Sequence, residues 1–260
     1  DNGEVKRGPY WRGGPIAPSF KMDQVVPEIT RRACDFIANS GSNPFLAYVP
    51  IPAPHTPWVP AQQYLKKSRA GLYGDFVEQT DASIGMILDQ IEKSGAAQNT
   101  LVIVTSDNGA PWEKRDSDEA AGHWANMDWR GQKSDIHEAG HRIPFMVRWP
   151  GRVKRGSVSK QLTCLTDIFA TLAEVQGTAL AQKMGEDSFS FLPALNGKRA
   201  TRDGIVHHSG NGLFAVRQGT WKLVLGRGSG GFTMPAKIEP KPGEPEGELY
   251  DLAGDPRETS

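Results

Sequence analysis

The chain has 260 residues, 38% of them hydrophobic, with a mean hydropathy of −0.48, and its 30 Lys and Arg balance 30 Asp and Glu for a formal net charge of zero. That balance excludes a global field drawing the protein to nucleic acid or to an anionic membrane, so any anion must be held by a few placed cations. No stretch approaches the roughly 18 apolar residues of a membrane span, and the length suits one large domain or a large and a small one.

Cys34 and Cys164 are the only cysteines. They sit in apolar periodic stretches and read as core fillers, not as a disulfide framework. The chain opens on Asp1-Asn2-Gly3 like the interior of a protein, so the missing leader says nothing about export. There is no Asn-x-Ser/Thr acceptor, which disfavours a heavily glycosylated secretory product.

Residues 1–20 are rich in Gly, Pro and aromatics and read as an irregular loop. Asp23 is placed to cap a helix running to about Asn39, with Val26, Ile29, Ala33, Phe36 and Ile37 on one face and Pro27 tolerated in the first turn. Phe45 to Val49 reads as a short strand, after which Pro50, Pro52, Pro54, Pro57 and Pro60 forbid regular structure. Gly74 to Ser94 is the clearest helix, with Val77, Thr80, Ile84, Ile87, Leu88 and Ile91 recurring at three and four residues and Gly95 as the stop. The apolar run Leu101 to Ser106 follows as a buried strand. Strand, loop, helix, strand predicts a βαβ unit and a parallel sheet.

That strand stops at Asp107-Asn108, with Gly109 behind. Open α/β sheets bind ligands at the carboxyl ends of their strands. One carboxylate and one carboxamide oxygen suit a hard cation, Ca²⁺ or Mg²⁺, though Asn-Gly is also a common turn dipeptide. Residues 110–143 are polar yet carry Trp112, Trp124 and Trp129, which suits a long functional loop rather than a linker. Phe145 to Trp149 is a further strand, and Thr166 to Val175 a helix with Ile168, Phe169, Leu172 and Val175 inward. Asp167 caps or supports that helix. After Leu195-Asn196-Gly197 the pattern changes: Gly204–His208, Leu213–Arg217 and Trp221–Leu225 are short strands between Gly-rich turns, an antiparallel meander. The organisation predicted is therefore 1–198 and 199–260.

His137-Glu138-Ala139-Gly140-His141 fits the H-E-x-x-H pattern of zinc peptidases. Gly140 weakens a helix there and Pro144 ends one, so the context is poor for that chemistry.

Four segments carry a resemblance. Ala53-Pro54-His55-Thr56-Pro57, Thr105-Ser106-Asp107-Asn108-Gly109, Arg130-Gly131-Gln132-Lys133 with Glu138 to Pro144, and Leu249-Tyr250-Asp251-Leu252 with Asp255-Pro256 resemble, in this order, segments of the type I sulfatases of the alkaline-phosphatase-like superfamily. The resemblance covers most of the chain. It implies an α/β fold: an alkaline-phosphatase-like sandwich with a mostly parallel central sheet, partial here, and a small C-terminal antiparallel β domain with a helix. It implies hydrolysis of a sulfate ester, of a small molecule or a carbohydrate. Asp107 and Asn108 would be metal ligands for Ca²⁺ or Mg²⁺, Lys133 a cation on the sulfate oxygens, and His55 the proton donor to the leaving alcohol or a hydrogen-bond donor to sulfate. His123, His207 and His208 are candidates to line the substrate pocket, although surface or structural roles suit them as well.

One departure is informative. The family's nucleophile is a formylglycine made within a Cys/Ser-x-Pro-x-Arg motif, and no such motif occurs here: Ser42-Asn43-Pro44 begins it, but Leu46 stands where Arg is needed. The expectation is that the chain is the C-terminal part of a longer sulfatase, inactive and poorly soluble by itself, from a periplasmic or secreted protein. A non-catalytic sulfated-glycan or anion-binding fragment and a phosphoesterase of the same superfamily are the alternatives.

Overall fold

The computed structural model describes residues 4–5, 13–113, 116, 120–199 and 202–259. Parts of the expected N-terminal loop, residues 1–3 and 6–12, and of the tryptophan-bearing loop, residues 114–115 and 117–119, lie outside them. The chain divides into two compact units, residues 1–100 with 114–123 and residues 101–113 with 124–260, and each is described by itself. The boundary expected near residue 198 falls inside the second unit.

In the first unit β1 (Glu4–Val5) and β2 (Gly14–Pro15) form a two-residue antiparallel ladder. A 3-10 turn over Met22–Gln24 leads into α1 (Val25–Asn39). Asp23 lies within that turn, and the residue before α1 is Gln24 with no side-chain cap, so the expected Asp23 cap does not form. α1 buries Val26, Thr30, Ala33 and Ile37, and Phe36 is left 48% exposed. The Thr30 hydroxyl is accommodated by donating to the Val26 carbonyl at 2.8 Å.

Helix α2 (Gly71–Lys93) packs against α1 and begins three residues before the expected Gly74. Its buried face is mixed, and of the expected apolar residues only Ile91 is fully buried while Ile84, Ile87 and Leu88 are half-buried. Asp75, Phe76, Gln79, Ser83 and Ile91 are buried, whereas Val77 is exposed. Two polar side chains explain this. The Asp75 carboxylate accepts the backbone N–H groups of Lys66, Lys67 and Ser68 at 2.7, 2.9 and 2.8 Å. Gln79 Oε1 accepts the N–H of Ala61 at 2.7 Å. Backbone donors removed from water need acceptors, and the helix turns its acceptors to the 61–68 segment to supply them. Phe45–Val49 forms no ladder among the described residues, and Leu46 and Tyr48 are exposed.

In the second unit β3 (Val102–Thr105) pairs with β4 (Phe145–Arg148), and the ladder is antiparallel, with Val102 opposite Arg148 and Thr105 opposite Phe145. The expected strand–helix–strand unit joined Phe45–Val49 to this strand; Phe45–Val49 forms no ladder among the described residues, and the neighbour β3 has is antiparallel. Continuous apolar character reports burial, not strand direction, which is set by a partner some forty residues on. β3 is also only half-buried. Helix α4 (Asp167–Val175) has the expected span but buries Asp167 and Thr171, while Phe169 is 47% exposed. Asp167 supports its surroundings as expected, accepting from the N–H groups of Cys164 and Phe189 at 2.8 and 2.9 Å and pairing with buried Arg202 at 2.7 Å. Both cysteines are free and half-buried.

Strands β5 (Gly204–His208), β6 (Phe214–Gln218), β7 (Trp221–Val224) and β8 (Glu248–Asp251) form an antiparallel sheet in that order. Three were legible as alternating runs. On one face Ala215, Val224 and Tyr250 join Ile136 and Leu252 in a core. On the other, Val206, Val216, Leu223 and Leu249 lie opposite one another across all four strands and stay exposed. The helix expected with this sheet is not among the described residues from 202 onward.

Candidate functional site

Asp107 and Asn108 lie two and three residues beyond Thr105, the last residue of β3. Asp107 is exposed, and its Oδ1 accepts the N–H of Asn108 at 3.0 Å. Asn108 is half-buried, and its Nδ2 donates to the Gly109 carbonyl at 3.0 Å, which turns the amide oxygen away from that bond. Hard oxygen donors of this kind fit Ca²⁺ or Mg²⁺ as part of a set of six or more. Among the described residues no three His, Cys, Asp or Glu side chains gather to complete one.

Gly109 makes the next step possible. A Cβ there would lie 1.6 Å from the Ala139 carbonyl oxygen, so only glycine lets the two backbones meet. The Gly109 N–H donates to the Gly140 carbonyl at 3.1 Å. One residue later the Ala110 carbonyl accepts both the backbone N–H of Lys133, at 3.0 Å, and the Asn126 side-chain amide, at 2.9 Å. Asn126 Oδ1 in turn accepts the Ala110 N–H at 3.1 Å. The end of β3 and the lysine are thereby tied through consecutive backbone bonds.

The segment carrying Lys133 is a closed loop. The Ala139 N–H donates to the Arg130 carbonyl at 2.9 Å, joining its two ends. Gly131 has φ +85°, and Ser134 has φ +77°, a left-handed backbone unusual for a residue with a Cβ. Such conformations persist where surrounding bonds over-determine them. Here they do: the Ser134 carbonyl accepts the Gly210 N–H at 2.7 Å and the Ile136 N–H donates to the Ser229 carbonyl at 2.8 Å. Asp135, wholly buried, accepts the N–H groups of Gln132 and Thr233 at 3.0 and 3.1 Å. The turns of the small sheet thus grip the loop from below.

The histidines separate. His55 belongs to the first unit, exposed in the proline-rich segment, with Nδ1 2.6 Å from the Thr56 carbonyl. His123, in the same unit, is exposed with its ring 5.7 Å from that of Tyr73. His208 is exposed, and its Nδ1 lies 2.8 Å from the Ser209 carbonyl. His207 faces inward against His141, ring centroids 4.4 Å apart, and neither of its nitrogens has a hydrogen-bond partner. Burial, with His141 and Lys222 nearby, pushes its pKa down to about 3.

The H-E-x-x-H residues form no zinc site. The helix α3 (Glu138–His141) has a single turn, with His137 preceding it. Glu138 is committed to cations, with Arg142 at 3.2 Å, Arg217 at 3.4 Å and Lys222 at 3.4 Å. Burial lowers the pKa of His137 to about 3 and of His141 to about 4. Sequence reasoning missed Lys222 and Glu258, whose side chains are wholly buried and 2.7 Å apart. The alternation of β7 places residue 222 inward, but nothing in the sequence marks its partner.

A family model described as Sulfatase matches residues 5–178. The chain is 34% identical over 253 residues to N-acetylgalactosamine-6-O-sulfatase of Bacteroides thetaiotaomicron, covering 95% of this chain and 49% of that protein. It is 32% identical over 204 residues to human arylsulfatase H, covering 78% and 36%. The chain thus spans about half the length, or less, of these curated relatives. Among solved structures, the BT33336S-sulf protein, from a Bacteroides thetaiotaomicron locus for metabolism of multiple glycosaminoglycans, superposes with TM-score 0.83 at 32% identity over 96% of this chain and 52% of its own. The PsFucS1 sulfatase from Pseudoalteromonas sp. shares the fold, with TM-score 0.76 at 24% identity over 95% and 52%. A glycine-dependent splice between a β-strand end and a lysine loop, on the alkaline-phosphatase-like fold of these neighbours, therefore sits in a chain that belongs to the sulfatase family.

Proposed function

We propose that the full-length protein hydrolyses sulfate esters, with a sulfated carbohydrate as substrate. The observation that carries this reading is the shared Ala110 carbonyl, which binds the lysine loop to the strand end bearing Asp107 and Asn108. In this reading Asp107 and Asn108 supply two oxygens to a Ca²⁺ or Mg²⁺ ion. Such an ion, when bound, polarises sulfate oxygens. Lys133 holds a fixed positive charge against the sulfate as negative charge moves towards the leaving oxygen. Among the described residues its ammonium has no ion-pair partner to neutralise it. A preorganised cation of this kind contributes on the order of a few kcal/mol to the transition state. His55 gives a proton to the departing alcohol, a step suited to imidazole near neutral pH. The nucleophile, a formylglycine, is assigned to sequence outside residues 1–260, which contain no Cys/Ser-x-Pro-x-Arg motif.

The carbohydrate assignment draws on the bacterial relative named for N-acetylgalactosamine-6-O-sulfate chemistry, and on that basis the protein is assigned to the periplasm or the cell exterior. Sulfate release by the full-length protein is measured from an aryl sulfate, from N-acetylgalactosamine 6-sulfate and, for phosphate release, from an aryl phosphate. Loss of about 100-fold or more in kcat/KM with Lys133→Ala, and loss of metal-dependent activity with Asp107→Ala, is expected. Wild-type sulfate release by both Lys133→Ala and His55→Ala would remove the role assignments. Phosphate release without sulfate release would move the protein to the phosphoesterases of its superfamily.

A further inference from the structure

We propose that Glu258 is a positioning residue for Lys133, acting by clamping the neck of the loop that carries it. The loop's two ends meet where the Ala139 N–H donates to the Arg130 carbonyl. Glu258 reaches both sides of that neck. Its backbone carbonyl accepts from the Arg130 guanidinium at 2.6 Å, and its carboxylate Oε2 accepts the Glu138 backbone N–H at 2.6 Å. The same Arg130 nitrogen donates to the Tyr250 hydroxyl at 3.0 Å, so the arginine is held from β8 as well.

Lys222 fixes the clamp from beneath. Its ammonium lies 2.7 Å from Glu258 Oε1, as an ion pair without the alignment of a hydrogen bond, and 3.4 Å from Glu138 Oε1. Neither Lys222 nor Glu258 has any exposed side-chain surface. One carboxylate therefore saturates the N–H that opens α3 and balances a buried cation at once. Inside this frame Lys133 is anchored by its own N–H to Ala110, and Ser134 is kept in a left-handed conformation. Opening the neck releases both restraints on the direction in which the lysine points, and small misplacements of a charge-stabilising group cost rate steeply.

The activity readout rests on the sulfatase reading; a second readout does not. In full-length protein, Glu258→Ala removes the acceptor, and Glu258→Gln keeps an oxygen for the Glu138 N–H. Expected for Glu258→Ala, well below its Tm, are a fall in kcat of about tenfold or more on an aryl sulfate with a smaller change in KM. Faster amide hydrogen exchange confined to residues 131–137 is expected with it, as is partial recovery of both in Glu258→Gln, which keeps the acceptor for the Glu138 N–H but not the charge facing Lys222. A lowered Tm with wild-type kcat and wild-type loop exchange would overturn the proposal and leave Glu258 a stabilising residue only. If Glu258→Ala does not fold, Glu258→Asp decides: it keeps a charge for Lys222 but withdraws from the Glu138 N–H, so raised loop exchange supports the clamp and wild-type exchange refutes it. If the wild-type protein releases no sulfate, the function fails separately, and exchange at 131–137 still decides for or against the clamp.

Discussion

Replacing Gly109 by alanine tests the junction on which the site depends. The added Cβ would sit 1.6 Å from the Ala139 carbonyl oxygen and 2.8 Å from its carbon, where real Cβ contacts essentially never fall below 3.0 Å. The obstacle is backbone, so the end of β3 and the lysine loop must part by at least about 1.4 Å. That displacement also breaks the bond from the Gly109 N–H to the Gly140 carbonyl. Overpacking costs about 1–3 kcal/mol and the lost hydrogen bond about 1 kcal/mol, together roughly 2–4 kcal/mol. For a chain of this size the Tm falls by roughly 5–15 °C. In the full-length protein, sulfate release falls about 100-fold, since the pieces no longer share a fixed spacing. The control is Gly85→Ala, inside α2 with nothing within 4 Å of its Cβ position, which should be neutral or stabilising. Thermal melts of both variants and initial rates of sulfate release make the comparison. A Gly109→Ala protein that melts and turns over like wild type would show that the two backbones do not meet as described.

Arg202→Met strands the buried Asp167 carboxylate, which receives three hydrogen bonds from that guanidinium, and should cost about 3–5 kcal/mol in urea unfolding; a loss below about 1 kcal/mol would contradict the burial of the pair. Asp75→Ala leaves three backbone N–H groups without acceptors and should raise exchange and proteolysis at residues 66–68 before any global change. His137, His141 and His207, with pKa values near 3, 4 and 3, take up protons only on unfolding. Their contribution is complete above about pH 6.5 and falls on acidification towards pH 4, by about 1.4 kcal/mol per pH unit for each imidazole. Glu258, whose carboxyl is raised by burial, offsets part of that fall. Melts at pH 7, 6 and 5 should therefore show a declining Tm, and a flat profile would count against buried neutral histidines. The exposed row Val206, Val216, Leu223 and Leu249 should make residues 1–260 expressed alone bind a hydrophobic dye and self-associate, with Leu223→Lys reducing both; a monodisperse, dye-silent sample would argue otherwise.

Element ends were legible where punctuation is local: Pro27 and Asn39 frame α1, Gly95 follows α2, and the meander strands fall within a residue of their expected spans. Buried faces were not. Thr30, Asp75, Gln79, Asp167 and Thr171 are among the most buried side chains because each satisfies a backbone group, a need that apolar periodicity does not record. The antiparallel neighbour of β3 was not legible because it is distant in sequence. Asp107 and Asn108 could be suspected from a strand ending in two oxygen donors. Lys133 stood out only through its resemblance to a known loop, since what distinguishes it is a bond to Ala110. Glu258 gave no signal at all, because its significance lies in two neighbours more than a hundred residues away.

The doubly occupied oxygen of Ala110 has one further consequence. Metal-side and ammonium-side groups hang from a common hinge pin, so in the sulfatase reading the gap between them is a template and not an adjustable jaw. Pulling them apart to admit a bulkier oxyanion would rupture the bond from the Lys133 N–H to that oxygen, while Asn126 stays bound to Ala110 on both sides of its amide. In that reading, selection among anions would be a matter of ruler length before it is a matter of charge.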